Sequence, residues 1–172
     1  MMGLAMTPSF QGGLVRGPHD VSSVCGPRHF SRYFMLYLTS GDAAIATKDQ
    51  WLPIIGRAVS DADGRWSEDQ LLADVQNGRL LVWIITHDDR ITGVFTTRVI
   101  ESRVRWILIE DCAGDDLASW IMPALNAVET WARELGATQI VIEGRKGWER
   151  TLRPYGYESK RIQAVKRLET MQ

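Results

Sequence analysis

The strongest constraint on the fold is a strand–helix–strand pattern in the second half of the chain. An apolar strand over residues 104–110 leads through a turn at 111–116 into an amphipathic helix over 117–135, and a second strand follows at 139–142. Two strands joined through one helix form a right-handed crossover and lie in one sheet. Ligands of such units bind where strand carboxyl ends meet helix N-termini. Chemistry is therefore expected between residues 109 and 117.

The segments before this unit predict an antiparallel meander. Apolar strands over residues 80–86 and 91–100 precede the strand at 104–110, and polar turns separate them. Two capping boxes predict helix starts upstream, Thr47 with Gln50 and Ser67 with Gln70. Residues 162–168 are predicted to form a closing strand. The order predicts an α/β domain with a mixed sheet of six or seven strands flanked by helices.

Residues 1–34 differ from the rest of the chain. Eight glycines and prolines interrupt this stretch and no period is sustained, so it reads as an irregular arm preceding a domain over residues 35–172. Three interpretations stay open: an ordered arm that packs on a partner subunit of a homodimer, an expression remnant, or translation from too early a start.

Composition excludes several classes of function. The 172 residues carry 20 basic and 21 acidic side chains, so the net charge of −1 creates no field that attracts nucleic acid. No apolar run approaches the roughly 20 residues that span a bilayer. Cys25 and Cys112 form neither a disulfide framework nor a Cys-x-x-Cys metal site. We therefore predict a cytoplasmic protein with no metal and no membrane partner.

Three local patterns, taken in order, resemble the GNAT superfamily of N-acetyltransferases over roughly residues 35–168. They are the polar turn and glycine of residues 88–94, the strand–helix–strand unit, and the late Leu-Arg-Pro-Tyr-Gly-Tyr at 152–157. The basic run at 145–150 is also similar to small phage-encoded proteins with such a core. The resemblance implies the acyl-CoA N-acyltransferase fold, with acetyl-CoA as co-substrate.

The resemblance also implies where acyl-CoA binds. Family members hold the pyrophosphate on backbone N–H groups of a glycine-rich loop at a helix N-terminus. The corresponding candidates here are Ile109, Asp111, Cys112, Ala113 and Gly114, with Arg145 and Lys146 neutralising the phosphates. Asp115 and Asp116 lie where the pyrophosphate is expected. They either cap the helix, so that no phosphate binds, or leave a loop that still holds CoA.

Two residues are candidates for acid–base chemistry. Glu110 ends the first strand and is the candidate base for the amine, with capping of the sheet end or pairing with Arg103, Arg105 or Arg145 as the alternative. Alternation along the strand predicts that Glu110 and Asp111 point to opposite faces. Tyr155 is the candidate acid, with a half-buried aromatic as the alternative, because the family's acid tyrosine falls at Leu152. Cys112 reads as a structural thiol.

We predict an acyl-CoA-dependent N-acyltransferase acting on an unidentified small-molecule or protein amine. The alternative is a non-catalytic protein on the same fold that serves in assembly or interaction, for example in a phage particle. Fold does not decide between them. The cluster Arg145, Lys146 and Trp148 would touch phosphates or an acidic partner, or form a solvated loop with the tryptophan packed beneath.

Overall fold

A computed structural model describes residues 34–60, 67–88, 90–144 and 147–160. The strands are β1 (Phe34–Thr39), β2 (Leu81–His87), β3 (Arg90–Glu101), β4 (Arg105–Gly114) and β5 (Gln139–Ile142). The helices are α1 (Gly41–Ala46), α2 (Lys48–Ser60), α3 (Glu68–Gln76), α4 (Leu117–Glu134) and α5 (Trp148–Leu152), which continues into a 3-10 turn, Arg153–Tyr155. Arg145, Lys146, the arm before Phe34 and the predicted closing strand lie outside the described residues.

The sheet has the order β1-β2-β3-β4-β5. The first three pairings are antiparallel, which confirms the meander, and β1 adds a fourth strand to it. The pairing of β4 with β5 is parallel, as the crossover through α4 requires. The described part of the chain holds five strands, against the six or seven expected.

Helices cover both faces of the sheet. On one face α1, α2 and α3 bury a cluster that includes Trp51, Ile55, Val82 and Val94. On the other face the apolar stripe of α4 packs on Trp83, Phe95 and the aliphatic residues of β4. Trp83 stacks on Phe95 with ring centroids 5.4 Å apart, and the edge of Trp131 meets Trp83 at 5.5 Å.

The two predicted helix starts have different outcomes. Ser67 is the N-cap of α3, and its side-chain oxygen accepts a hydrogen bond from the Gln70 amide at 3.2 Å. The capping box at Thr47 is wrong: Thr47 ends α1, and its hydroxyl donates to the carbonyls of Ala43 and Ala44. A helix does follow it, but Thr47 contributes its carbonyl, which accepts from the Gln50 amide.

Candidate functional site

Strand β4 is longer than the sequence predicts. It runs to Gly114, so the turn expected at residues 111–116 is wrong, and Asp111, Cys112 and Ala113 are strand residues. The parallel pairing with β5 stops at Ile109 and Ile142, and the Glu143 amide then donates to the Ile109 carbonyl. Beyond that point β4 continues for five residues with no strand along its β5 edge in the described ranges. The main-chain groups of this stretch that point away from β3 face a gap.

A β-bulge lies where the two strands part. The register between β3 and β4 passes from Phe95 opposite Cys112 to Thr97 opposite Ile109, so Glu110 and Asp111 together oppose Thr96. Both carboxylates therefore lie on the α1–α3 face. The residues before and after them in the strand, Ile109 and Cys112, lie on the α4 face. The expectation that they point to opposite faces is wrong, because the extra residue breaks the alternation.

Glu110 belongs to a charge cluster that joins β3, β4 and α3. Its carboxylate accepts from Arg98 Nε at 2.9 Å and from Arg98 Nη2 at 3.3 Å, and Nη2 also donates to Asp74 at 2.9 Å. The side chains of Arg98, Glu110 and Asp74 are only 18%, 11% and 13% exposed. Burial lowers the pKa of Arg98, but the hydrogen bonds and charges of Glu110 and Asp74 outweigh it and raise that pKa overall. Among the described residues, the partner of Glu110 is thus Arg98, and not Arg103 or Arg105 as the sequence suggested. The third candidate, Arg145, lies outside the described residues.

Asp111 and Cys112 continue the strand toward the gap. The Asp111 amide donates to the Thr96 hydroxyl at 3.2 Å, and that hydroxyl donates to the Asp111 carboxylate at 3.4 Å. Burial, together with the negative charge of Asp111, raises the pKa of the Cys112 thiol from 9.0 to about 12. A thiol that stays protonated at neutral pH is a poor nucleophile, which supports a structural role.

A cavity of about 890 Å³ opens beside this free edge. That volume lies at the upper end of the range for small-molecule sites. It reaches from α2 on one face, through the gap after the last β4–β5 pair, to the apolar side of α4 on the other. Its lining includes Arg57 and Ala58 of α2, Phe95 of β3, residues 109–114, Leu117, Trp120, Ile121, Ala124, Leu125 and Val128 of α4, Ile142, Glu143, Gly144, Trp148 and Leu152.

The N-terminus of α4 opens on this cavity. Asp116 is the N-cap residue with φ 47°, but its side chain makes no capping hydrogen bond, so the capping interpretation of Asp116 is wrong. The main chain of Asp115 is fixed instead, because its amide donates to the Thr92 carbonyl and its carbonyl accepts from Trp120 Nε1 at 2.9 Å. The first amides of α4 are left without intrahelical partners.

Two glycines allow the close packing that shapes this corner. A Cβ on Gly114 would lie 2.5 Å from the Thr92 carbonyl oxygen and 2.6 Å from Gly93 Cα. Only glycine therefore lets β4 lie this close to β3. A Cβ on Gly93 would lie 2.9 Å from the Trp120 ring. The glycine of the hairpin therefore provides the surface on which Trp120 anchors the start of α4.

The late aromatic segment contributes packing around the cavity. Leu152 is buried and lines it, whereas Tyr155 packs against the α4-side cluster and is not among the lining residues. Trp148 lines the cavity from the start of α5, against Gly144. The Tyr157 hydroxyl is buried with no hydrogen-bond partner, and burial, then the charge of Glu129, raises its pKa to about 12.

Comparison with known proteins identifies the architecture. No family model matches the sequence, and neither does any curated protein. Among solved structures, an aminoglycoside N-acetyltransferase in complex with CoA superposes with a TM-score of 0.60 at 13% identity, covering 85% of this chain and 100% of its own. The ribosomal-protein-alanine N-acetyltransferase of Brucella melitensis gives 0.60 at 12%, over 80% and 100%. An aminoglycoside acetyltransferase from an uncultured soil sample gives 0.58 at 16%, over 79% and 97%.

The chain has the GNAT acetyltransferase fold. The fold predicted from the sequence is thereby confirmed. Within it, Thr96, Arg98, Asp74 and Arg57 surround the site but were missed by sequence reasoning. Arg98 and Asp74 are separated by 24 positions and belong to no motif, so no local signal could have paired them.

Two further findings bear on the GNAT-fold chain. In the described ranges, no group of three or more histidine, cysteine, aspartate or glutamate side chains could hold a metal ion. No helix in the same part of the chain is long and apolar enough to cross a membrane.

Proposed function

We propose that this protein is an acyl-CoA-dependent N-acyltransferase. One observation supports the proposal above the others: β4 leaves its partner after Ile109 and presents five residues of open edge to a large cavity at the uncapped start of α4. A thioester attached to a long, amide-containing arm matches such an edge, because main-chain N–H and C=O groups are obligatory hydrogen-bonding partners. The aminoglycoside N-acetyltransferase of the same fold was solved in complex with CoA.

The residues divide into two sets that would hold the co-substrate. Main-chain groups of Cys112 and Ala113 that β3 does not use would pair with the amide-containing arm. Ile109 and Asp111 would contact it through their other atoms, because the Ile109 carbonyl accepts from the Glu143 amide and the Asp111 amide donates to Thr96. Gly114 and the first amides of α4 would face the pyrophosphate, since a helix N-terminus favours anions. Acyl-CoA supplies an acyl group activated as a thioester. Arg145 and Lys146 remain predicted phosphate ligands.

Glu110 is our candidate for the group that accepts the proton of the amine. It lines the cavity at the point where the strands part, on the face that α2 covers. Arg98 donates hydrogen bonds to both of its oxygens. The proton of the amine would therefore reach Glu110 through an intervening water rather than by direct contact. The acceptor is a small-molecule or protein amine, by analogy with the aminoglycoside and ribosomal-protein-alanine acetyltransferases of this fold. The role of Tyr155 as acid stays a prediction.

The alternative, a non-catalytic interaction protein on this fold, is favoured by one observation. Leu152 lines the cavity at the position where the family's acid tyrosine is expected, so this wall offers hydrocarbon in place of a hydroxyl. Loss of the acid does not abolish the reaction, because a thiol of pKa about 8.5 is a tolerable leaving group.

A thermal-shift titration with CoA and acetyl-CoA tests the proposal. Saturation at 100 times the dissociation constant adds about 2.7 kcal/mol to the free energy of unfolding and raises the melting temperature. The absence of any shift at millimolar concentrations of both compounds would overturn the transferase and leave the interaction protein.

Turnover then tests the base. Glu110→Gln is expected to lower kcat by about 10²-fold or more while leaving acetyl-CoA binding nearly intact. Asp74→Asn is the matched control, because it disturbs the same Arg98 cluster from α3 and does not line the cavity. If both variants lose turnover equally, Glu110 acts through the structure of the cluster and is not the base.

A further inference from the structure

The inner end of the cavity has a chemistry that its outer end lacks. Five side chains from three strands, α4 and α5 border this inner end with hydrocarbon only, and the fully buried Val128 lies behind them. The five are Phe95, Ile109, Leu125, Ile142 and Leu152. We call this group the inner chamber. The charged groups of the lining, Arg57, Glu110, Asp111 and Glu143, come from α2, the bulge and the end of β5.

The inner chamber lies beside the Ile109 end of the open edge of β4, where the thioester would react. Eleven residues of α4 separate Leu117 from Val128, a rise of about 17 Å. Five residues of β4 separate Gly114 from Ile109, a length of about 17 Å. Because α4 runs back along β4 in the crossover, Leu125 and Val128 lie beside Ile109, where the gap between the strands closes. A thioester held along the edge with its phosphates at Gly114 would bring its acyl group to this place.

A two-carbon acyl group contributes a single methyl to bury, whereas five hydrocarbon side chains border the chamber. Placing methyl and methylene groups against such walls is favourable, since each buried methylene lowers the free energy of transfer from water. Leu152 adds to this surface at a position where a tyrosine would have placed a hydroxyl. Polar or charged acyl groups would lose hydration here without a partner.

We propose that the preferred donor is a thioester of a hydrocarbon acyl chain longer than acetyl, whose tail fills the inner chamber. This inference rests on the proposed function and specifies its donor. The chamber selects by length, because methylenes that reach it are buried and those beyond its end are not.

Isothermal titration with CoA, acetyl-CoA, butyryl-CoA, hexanoyl-CoA and octanoyl-CoA tests the inference. Affinity is expected to rise about fourfold for each methylene that enters the chamber and then to level off. Equal binding of CoA, acetyl-CoA and hexanoyl-CoA would overturn the chain-length proposal while leaving the acyltransferase intact. Failure of every compound to bind would overturn both.

Two variants alter the chamber in opposite directions. Leu125→Phe fills it and is expected to weaken hexanoyl-CoA binding at least tenfold while CoA binding is unchanged. Val128→Ala enlarges it and is expected to shift the preferred chain toward octanoyl. If one variant fails to fold by circular dichroism, the other still decides the question.

Met122→Phe is the matched control on the same helix. Met122 is 50% exposed and does not line the cavity, so the substitution adds a similar ring to α4 outside the chamber. Its chain-length profile is expected to equal that of the parent protein. A loss of hexanoyl-CoA affinity in Met122→Phe as large as in Leu125→Phe would show that the effect comes from the helix as a whole and would overturn the proposal.

Discussion

The two faces of β4 at its bulge are chemically opposite. On the α1–α3 face, Glu110 and Asp111 lie side by side, bound to Arg98 and Thr96. On the α4 face, Ile109 and Cys112 border hydrocarbon from α4. One extra residue in the strand produces this difference, because it removes a single step of the alternation and brings two carboxylates to the same side.

In the proposed transferase, the two faces of this one strand would serve two different substrates. A charged amine is compatible with the carboxylate side, where ionised groups are paired and hydrogen-bonded. An acyl chain is compatible with the other side, where no charge must be desolvated. The gap that follows Ile109 joins the two sides and would allow the amine to reach the thioester through the sheet.

The largest effect on stability is expected from removing the arginine that pairs with the carboxylates of the α1–α3 face. Arg98→Met leaves Glu110 buried without its cation and leaves Asp74 with only the exposed Arg79, whose Nη1 lies 3.6 Å from the Asp74 carboxylate. Removing one partner of a buried ion pair costs about 3–5 kcal/mol. The free energy of unfolding, measured by urea titration, should fall by that amount.

Arg133→Met is the control for this substitution. Arg133 pairs with Glu129 on the surface of α4 with its side chain 70% exposed, and such a pair contributes about 0.3–0.5 kcal/mol. Similar losses in both variants would mean that the Arg98 cluster is no more important than a surface pair.

A smaller effect on stability is expected from adding a side chain at Gly114, where the open edge of β4 ends. Gly114→Ala places a methyl against the Thr92 carbonyl and Gly93, and overpacking of this kind costs about 1–3 kcal/mol. Because the backbone at Gly114 must shift, CoA binding should also weaken in a thermal-shift titration.

The matched variant is Gly56→Ala, where a Cβ meets nothing within 4 Å inside α2. Alanine in place of a helical glycine is expected to stabilise the protein by up to about 1 kcal/mol. A stabilising Gly114→Ala would contradict the close approach of β4 to β3.

An effect confined to alkaline pH tests the apolar side of the strand. The unfolded Cys112 thiol ionises near pH 9, whereas the folded thiol keeps its proton until about pH 12. The unfolded state therefore binds fewer protons between these values, and stability falls as the pH rises through that window. Cys112→Ala should flatten the decline of the unfolding free energy from pH 9 upward.

Tyr157→Phe gives a comparison with a different onset. Its hydroxyl has an ordinary pKa of 10.0 that the fold raises to about 12, so this variant should flatten the decline only above pH 10. Identical profiles for the parent and Cys112→Ala would show that the thiol is not buried as described.

Local signals predicted much of the fold. The apolar strands, the stripe of α4 and the Ser67 cap depend on neighbours within a few residues, and the structure confirms each of them. The Thr47 cap failed because two helices meet there, and the hydroxyl bonds to the preceding helix instead of the following one. The open edge of β4 was predicted in part from the crossover. The shorter strand of the parallel pair, β5, ends first and leaves the rest of β4 without a partner on that side.

The sequence alone determined the order of the elements from α2 to α5, though not β1 and α1, and it determined the strand that carries the site. Hydrophobic period and turn residues are local properties of the chain. Only the tertiary structure decided which way Glu110 and Asp111 point, that Arg98 and Asp74 hold the first of them, and that Gly93 receives the Trp120 ring. These outcomes depend on how β3, β4, α3 and α4 meet. A bulge or a buried ion pair is stabilised by groups far apart in the chain, so no short segment records it.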